Sequence, residues 1–524
     1  MRIAAIDLGS NSFHLVVVDA QPDGSFDVLV REKEVLRLGD VVAATGRIGP
    51  EHGERAVDAM RRMASVIGSV GAEEVVAYAT SALREADDSA AICDAIFDET
   101  GIEVDVISGR HEARLIFGAV RRSITITKPP AVCLDLGGGS LEVSVGDAGG
   151  LLWSTSVRLG VGRLATSFLT SDPPSERDVK RLREHVTVVL APVVEQVRSF
   201  EPGMLIGTSG TLCDLATMAA INRTGVAPPS LNQLTVKRRD LNEVHARLLS
   251  STSEERAKFD GLEPRRADQI PAGSIVLLTA MKLLDLNELT VGDWALREGM
   301  LLDAIDRHDL ADWSSDPEAV RRTSVLALAR RCAFDEAHAS AVARLAGGLF
   351  DQTLPLHRLP QRSRLLLEYA ALLHDIGEHV AVDGHNKHTA YLIQHGQLKG
   401  FEPAEVDMLA TLGRYHRRSG PGSSFEPWRR LEREEKDETL VLLSLLRIAD
   451  GLDRGHLGVV DGVDVEIDKK QVRILVAATG DADLELWGVR RKRELFESVF
   501  DRKLELVAAD HPAVRARVLR RAGA

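Results

Sequence analysis

The stretch IAAIDLGSNSFHLVVVDA, residues 3–20, is a strand-like apolar run interrupted by Asp7-Leu8-Gly9-Ser10-Asn11-Ser12. The apolar residues on either side argue for two buried strands, and the break is the ordinary vocabulary of a tight turn. It is also a set of groups suited to phosphate or a metal: a carboxylate, two hydroxyls, an amide and a glycine that leaves the backbone open. Taken alone, the stretch reads first as a hairpin.

A second copy changes that reading. AVCLDLGGGSLEVSVGDA, residues 131–148, repeats the opening at an offset of 128 residues, matching Asp7 to Asp135, Leu8 to Leu136, Gly9 to Gly137, Ser12 to Ser140 and Asp19 to Asp147. Each copy reads as strand, glycine-rich turn, strand, and duplication of a half-domain accounts for the shared positions. Gly137-Gly138-Gly139 exposes successive backbone N–H groups to a phosphate without Cβ obstruction. After the turn, alternation puts Ser140, Glu142 and Ser144 on one face and Leu141, Val143 and Val145 on the other. Asp135 ends one strand and Glu142 lies on its neighbour, so the two carboxylates converge near the turn, a donor set suited to Mg²⁺ or Mn²⁺.

The chain of 524 residues is too long for one core, and about three or four domains are expected. With 44% hydrophobic and 27% charged residues it has the apolar material for packed cores. No apolar run reaches the ~18 residues of a membrane span, which points to a cytoplasmic protein with no membrane partner. Cys93, Cys133, Cys213 and Cys332 lie far apart, which argues against a disulfide framework. A net charge of -13 argues against a nucleic-acid partner. Local basic patches such as Arg121-Arg122, Arg265-Arg266 and Arg417-Arg418 still leave room for a polyanionic substrate.

The duplicated DLGSN and DLGGGS turns resemble the actin–Hsp70–sugar kinase superfamily, whose two halves close over a phosphate-bearing ligand. Within it the chain resembles the exopolyphosphatase / guanosine pentaphosphate phosphohydrolase family. ATSALREA (79–86), SGRHEARLIFGAV (108–120), GTSGTL (207–212), RADQIPAG (266–273) and ALREGML (295–301) follow in that family's order. KHTAYLI (387–393) and RYHRR (414–418) extend the likeness. The fold implied is α/β: duplicated actin-like (ribonuclease H-like) half-domains, an all-α HD-like domain and a small α/β cap. The expected divisions are 1–125, 126–305, 306–460 and 461–524.

The activity implied is hydrolysis of a phosphoanhydride, on inorganic polyphosphate or on guanosine pentaphosphate (pppGpp), in a homodimer. A sensor that binds an alarmone or nucleotide without turnover is the competing reading. In the family, the Glu of the EAR motif is the base, here Glu112. From the residues alone, Ser108-Gly109 starts a helix and leaves Glu112 in its first turn, where the helix dipole also favours an acid. His111 departs from relatives that often carry a second Glu there, which makes the pocket less acidic. By resemblance, Asp135 and Glu142 hold the Mg²⁺ or Mn²⁺. Gly9, Ser10, Asn11 and Ser12, then Gly137, Gly138, Gly139 and Ser140, then Ser209, Gly210 and Thr211 cradle phosphate, with Ser81 and Arg84 from the TSALREA segment. Arg84 is read as a bidentate phosphate contact, against a surface ion pair with Glu85 or Asp88. Arg297-Glu298 reads as a structural ion pair.

After Met300 the periodicity becomes helical, as in SRLLLEYAALLHDIG (363–377) and LVLLSLLRIADGLDR (440–454). WSSDP (313–317) reads as a linker. His374-Asp375 ends an apolar helix, with His338 and Asp450 on flanking helices. This quartet resembles the metal set of HD-domain phosphohydrolases and implies a second, transition-metal site. A structural relic of such a site is the other reading. His385, His388 and His416 extend the set or bind phosphate. VDVEIDKKQVRILVAA (463–478) alternates as a β-hairpin before a helix-like RELFESVFDRKL (493–504).

Overall fold

The computed structural model describes residues 1–21, 25–308, 317–417 and 420–508. Residues 313–316 of the stretch read as a linker, and Arg418 of a basic patch, lie outside them. The chain forms two compact units, Met1–Val320 and Arg321–Ala524.

The N-terminal unit contains two sheets. The first comprises β1 (Arg2–Leu8), β2 (Ser12–Ala20), β3 (Phe26–Val35), β4 (Glu74–Ala79) and β5 (Asp105–Val106), in the order β3-β2-β1-β4-β5. The second comprises β6 (Ala131–Leu136), β7 (Leu141–Asp147), β8 (Gly150–Val157), β9 (Met204–Thr208), β10 (Leu234–Lys237) and β11 (Glu288–Val291). From its β8 edge the order is β8-β7-β6-β9-β11-β10. Both therefore run hairpin pair, central strand, two parallel neighbours, with β10 added at the far edge of the second. Even the irregularity repeats: the bulge at Val17/Val18 recurs at Val145/Gly146, the same 128-residue offset.

Central strand β1 reads as one apolar run because both its faces are covered. Ile3 and Ala5 face a layer that includes Leu115, Ile116, Met300 and Leu301, from the helices Gly109–Val120 and Leu296–Arg307. Ala4, Ile6 and Leu8 face the opposite layer. Ala131 and Cys133 of β6 join the first layer, and Val132, Leu134 and Leu136 pack in a separate one. The two halves thus share one layer of helices, and the helix Gly109–Val120 is held between them.

In the C-terminal unit one core runs from Val325 to Leu504. It is built from the helices Glu336–His357, Gln361–Leu373, Pro403–Tyr415 and Arg433–Gly451, packed with β12 (Val460–Ile467), β13 (Gln471–Ala478) and β14 (Lys503–Ala508). β12 and β13 form the antiparallel hairpin, and β14 returns parallel to β13 after two short helices. The helix-like segment at 493–504 stops at Phe500, because Asp501 takes a left-handed φ of 49° and Lys503 begins β14.

Gly299 marks the tightest contact behind the Gly109–Val120 helix. A Cβ there would lie 2.2 Å from the Leu115 carbonyl oxygen and 2.6 Å from its carbon, backbone atoms that cannot swing aside. Gly299→Ala should cost about 1–3 kcal/mol by overpacking. Gly118→Ala, in the same helix with nothing within 4 Å, should instead stabilise by about 0.5–1 kcal/mol. Urea midpoints at unchanged m test both.

Candidate active site

The antiparallel register β6–β7 pairs Asp135 directly with Glu142. In the first half the register β1–β2 pairs Asp7 with His14, at the same two structural positions. The duplicated scaffold therefore presents four side chains, three acids and one imidazole, at the strand ends where the glycine turns begin. These turns line one cleft of about 460 Å³. Gly9, Ser10, Asn11 and Ser12, Gly137, Gly138, Gly139 and Ser140, and Ser209, Gly210 and Thr211 all line it, with Ser81, Glu112, Asp135 and Glu142.

The loops of the two halves touch. A Cβ on Gly139 would meet Ser81 Oγ at 2.4 Å and Ser10 Oγ at 2.6 Å, so only glycine allows this approach. Gly160 presses on the backbone of Gly138 and Gly139 in the same way. Ser209, at the start of the helix Ser209–Thr224, takes φ 77°, an unfavourable conformation for a residue with a side chain. Its Oγ is buried with no hydrogen-bond partner. Arg266 holds this turn through the Gly210 carbonyl oxygen (3.3 Å) and Asp214 Oδ2 (2.8 Å).

Glu112 sits in the first turn of Gly109–Val120, where the N-cap Ser108 Oγ accepts from the His111 N–H. It is buried, and Arg84 Nη1 donates to its Oε2 at 3.1 Å and to the Ile107 carbonyl oxygen at 2.8 Å. Arg84 thus orients Glu112 and pairs with neither Glu85 nor Asp88. His111 is not among the cleft-lining residues; it faces Tyr78 and Arg114. The expected Arg297–Glu298 pair is replaced by two separate roles. Glu298 accepts from the Ala295 N–H at 3.1 Å, and Arg297 lines the cleft with Nη1 3.4 Å from His14 Nδ1.

Asp7, His14, Arg266 and Arg297 were not singled out as site residues from the sequence. The offset that aligned Asp7 with Asp135 also aligns His14 with Glu142, and that was the signal available for those two. For the two arginines only folding shows the direction they take.

Burial sets the electrostatics. It pushes Asp7 up to about 7, against the pull of Arg297. Asp135 rises to about 6, partly offset by a hydrogen bond from Thr208 Oγ1. Glu142 rises to about 7 through burial and the Asp135 charge, although Ser156 Oγ donates to it at 2.8 Å. Burial and the Glu142 charge also push Glu112 well up, against Arg84. His14 falls to about 3 through burial and the Arg297 charge, which keeps it neutral. Asp7 Oδ1 is buried without a partner. Buried carboxylates with an orphaned oxygen and few neighbouring cations fit a hard divalent cation with oxygen ligands.

Residues 17–308 match the model described as Ppx/GppA phosphatase family, and residues 320–478 match Ppx/GppA phosphatase, domain III. The chain belongs to the Ppx/GppA phosphatase family. Its actin-like halves and helical C-terminal domain are the fold of that family. Ppx/GppA relatives include Exopolyphosphatase 1 of Mycobacterium tuberculosis (strain ATCC 25618 / H37Rv), 34% identical over 310 residues, covering 58% of this chain and 89% of that protein. The solved exopolyphosphatase of Cytophaga hutchinsonii is 31% identical with a TM-score of 0.55, covering 60% of this chain and 100% of that one. A Ppx/GppA family member from Aquifex aeolicus is 28% identical with a TM-score of 0.52, covering 59% and 99%. No helix among the described residues is long and apolar enough to cross a membrane.

In the C-terminal unit His338, His374 and Asp450 bring ligand atoms within 4.8 Å of one another, and so do Asp375, His385 and His416. His388 is in neither group.

The raised carboxylates dictate how stability should respond to pH. A group whose folded pKa lies above its unfolded value favours the native state below about pH 4, and that advantage is lost as pH rises through 6–7. Protein freed of divalent cations should therefore melt lower at pH 8 than at pH 5.5. Adding Mg²⁺ or Mn²⁺ should raise the melting temperature more at pH 8 than at pH 5.5, as differential scanning fluorimetry at both values will show.

Proposed function

We propose that this chain releases orthophosphate from the end of inorganic polyphosphate, with Glu112 as general base. The observation that carries the reading is the buried Glu112, oriented by Arg84 in a cleft ringed by three phosphate-sized loops and the Asp135–Glu142 pair. The Mycobacterium and Cytophaga relatives named exopolyphosphatases support the substrate.

The terminal phosphate lies against the backbone N–H groups of the glycine turns and the N-terminus of the helix Ser209–Thr224. Arg266 and Arg297 add positive charge at the cleft wall. Glu112 takes a proton from the water as its oxygen bonds to the terminal phosphorus. The P–O bond to the penultimate phosphate breaks, leaving orthophosphate and a shortened chain. Burial raises the basicity of Glu112, and Arg84 holds it in one orientation. Asp135 and Glu142, with Asp7 in the same cleft, would hold Mg²⁺ or Mn²⁺. When bound, that cation neutralises charge on the phosphoryl oxygens. In the C-terminal unit, His338, His374, Asp375 and Asp450 are proposed to hold a transition metal.

Glu112→Gln preserves shape and removes the base, and should lower phosphate release by roughly 10²–10⁴-fold with an unchanged circular dichroism spectrum. Near-normal turnover would remove Glu112 from the mechanism. The same assay, run on long-chain polyphosphate, tripolyphosphate and pppGpp, decides the substrate. A marked preference for pppGpp would replace polyphosphate and leave the residues in their roles. Asp135→Ala or Glu142→Ala should raise the Mg²⁺ requirement or abolish activity; full activity of either variant in excess chelator would overturn their assignment.

A further inference from the structure

We propose that a pocket behind the helix Gly109–Val120 is a regulatory site for a small phosphorylated sugar or polyol, separate from the catalytic cleft.

The pocket lies within the N-terminal unit and measures about 240 Å³. That is just under the roughly 300–1,000 Å³ of drug-sized sites, a scale suited to a small metabolite. One wall is the helix Gly109–Val120 and the other the helix Leu296–Arg307, while Gly150 and Leu151 close one end. Arg114, Gly118 and Arg121 stand at i, i+4 and i+7, one line along the first helix. Leu302, Asp303 and Asp306 form the facing line. None of these six side-chain positions lines the catalytic cleft. The Arg121-Arg122 patch of the sequence thus belongs to this pocket and not to the cleft.

The charges here do not balance. Three arginines meet two aspartates. Arg122 Nη2 donates to Asp306 Oδ2 at 2.7 Å, and Arg114 Nη2 lies 3.7 Å from Asp303 Oδ1. Asp303 is shared, its other oxygen 3.7 Å from Nε of a fourth arginine, Arg307. Arg121 Nη1 reaches the Gly149 carbonyl oxygen at 3.5 Å and pairs with no carboxylate among the described residues. The Arg122 side chain is 8% exposed, and burial, with the Arg121 charge, holds its guanidinium below its ordinary pKa against the pull of Asp306. A partly buried cluster with surplus positive charge is relieved by an anion, and guanidinium forks match the oxygens of a phosphate.

Gly118 points to the same use. A Cβ there would meet nothing within 4 Å, so packing does not require glycine, although alanine is the better helix former. Its effect is to leave the middle of the pocket open. The lining also defines the rest of the ligand. Carboxylates accept hydrogen bonds from hydroxyls, which Asp303 and Asp306 offer beside the arginines. Leu151 and Leu302 give a carbon skeleton an apolar surface.

Both walls continue into the catalytic cleft. Glu112 and Ile116 of the first helix line it, as do Leu296 and Arg297 of the second. The close approach of Gly299 to the Leu115 backbone ties the two helices together between the sites. A ligand bridging their far ends favours one relative placing of the helices, and with it one placing of Glu112 against Arg297.

The test uses the full-length chain and isothermal titration calorimetry, with glucose 6-phosphate and glycerol 3-phosphate as probes and glucose and glycerol as neutral controls. One saturable site is expected for a phosphorylated probe and none for the neutral controls. Gly118→Leu fills the pocket and Arg121→Ala removes the cation without a carboxylate; each should weaken binding at least about tenfold. Gly118→Ala, which should fold at least as stably as the wild type, should still bind and controls for helix integrity. No saturable binding of either phosphorylated probe would overturn the site. Binding undiminished in both Gly118→Leu and Arg121→Ala would place the probe elsewhere, and equal binding of the neutral controls would overturn the phosphate class. Regulation is read separately, from phosphate release on long-chain polyphosphate with a phosphorylated probe at saturation. The wild-type KM should shift by about fivefold or more, and the KM of Gly118→Leu should ignore the probe. The same shift in both proteins, or none in the wild type, would overturn the regulatory role.

Discussion

Asp135 and Glu142 stand opposite each other across one rung of the β6–β7 ladder, both buried, and the rest of the cleft answers to that concentration of charge. Removing a carboxylate from water is costly unless it is protonated, paired or bound to a metal. The hydrogen bonds these two accept come from neutral hydroxyls, Thr208 to Asp135 and Ser156 to Glu142. Hydroxyls orient a carboxylate without cancelling its charge. The pair is therefore left with an electrostatic demand that the hydroxyls do not meet.

The duplicated scaffold carries different side chains at equivalent positions. At the position of Glu142 the first half carries His14, held neutral by burial and by Arg297. Of the paired positions, the second half thus presents two acids, and the first an acid and a neutral imidazole beside Arg297. Where the two halves meet, Gly139 packs so closely against Ser10 and Ser81 that a side chain there would collide with both.

The two units use different donor chemistry. The N-terminal cleft offers carboxylates and hydroxyls, the oxygen donors that hard cations prefer. The C-terminal cluster offers imidazoles, three of them against backbone carbonyl oxygens and His338 against Asp453, a softer donor set than carboxylates and hydroxyls. Its helices can place them because a core from Val325 to Leu504 fixes their spacing. The three-stranded sheet belongs to that same core, so the helices and strands of this unit are mutually dependent.

Local pattern determined a good part of this protein. The offset repeat implied two related sheets, alternation placed Asp135 and Glu142 on adjoining strands, and Ser108 before Glu112 marked a helix start. All of these depend on neighbours in sequence or on the strict period of a strand. What pattern could not reach lies in long-range packing. Arg84 turned to Glu112 rather than to Glu85 or Asp88, because the short helix Ser81–Glu85 and the Gly109–Val120 helix meet only in the folded unit. Arg297 left Glu298 for the cleft, and Arg266 crossed to Asp214 and Gly210. His385 and His416 joined Asp375 while His388, three residues along the same helix from His385, did not. Long flexible side chains have several partners within reach along the sequence, and burial of the surrounding core is what selects one of them.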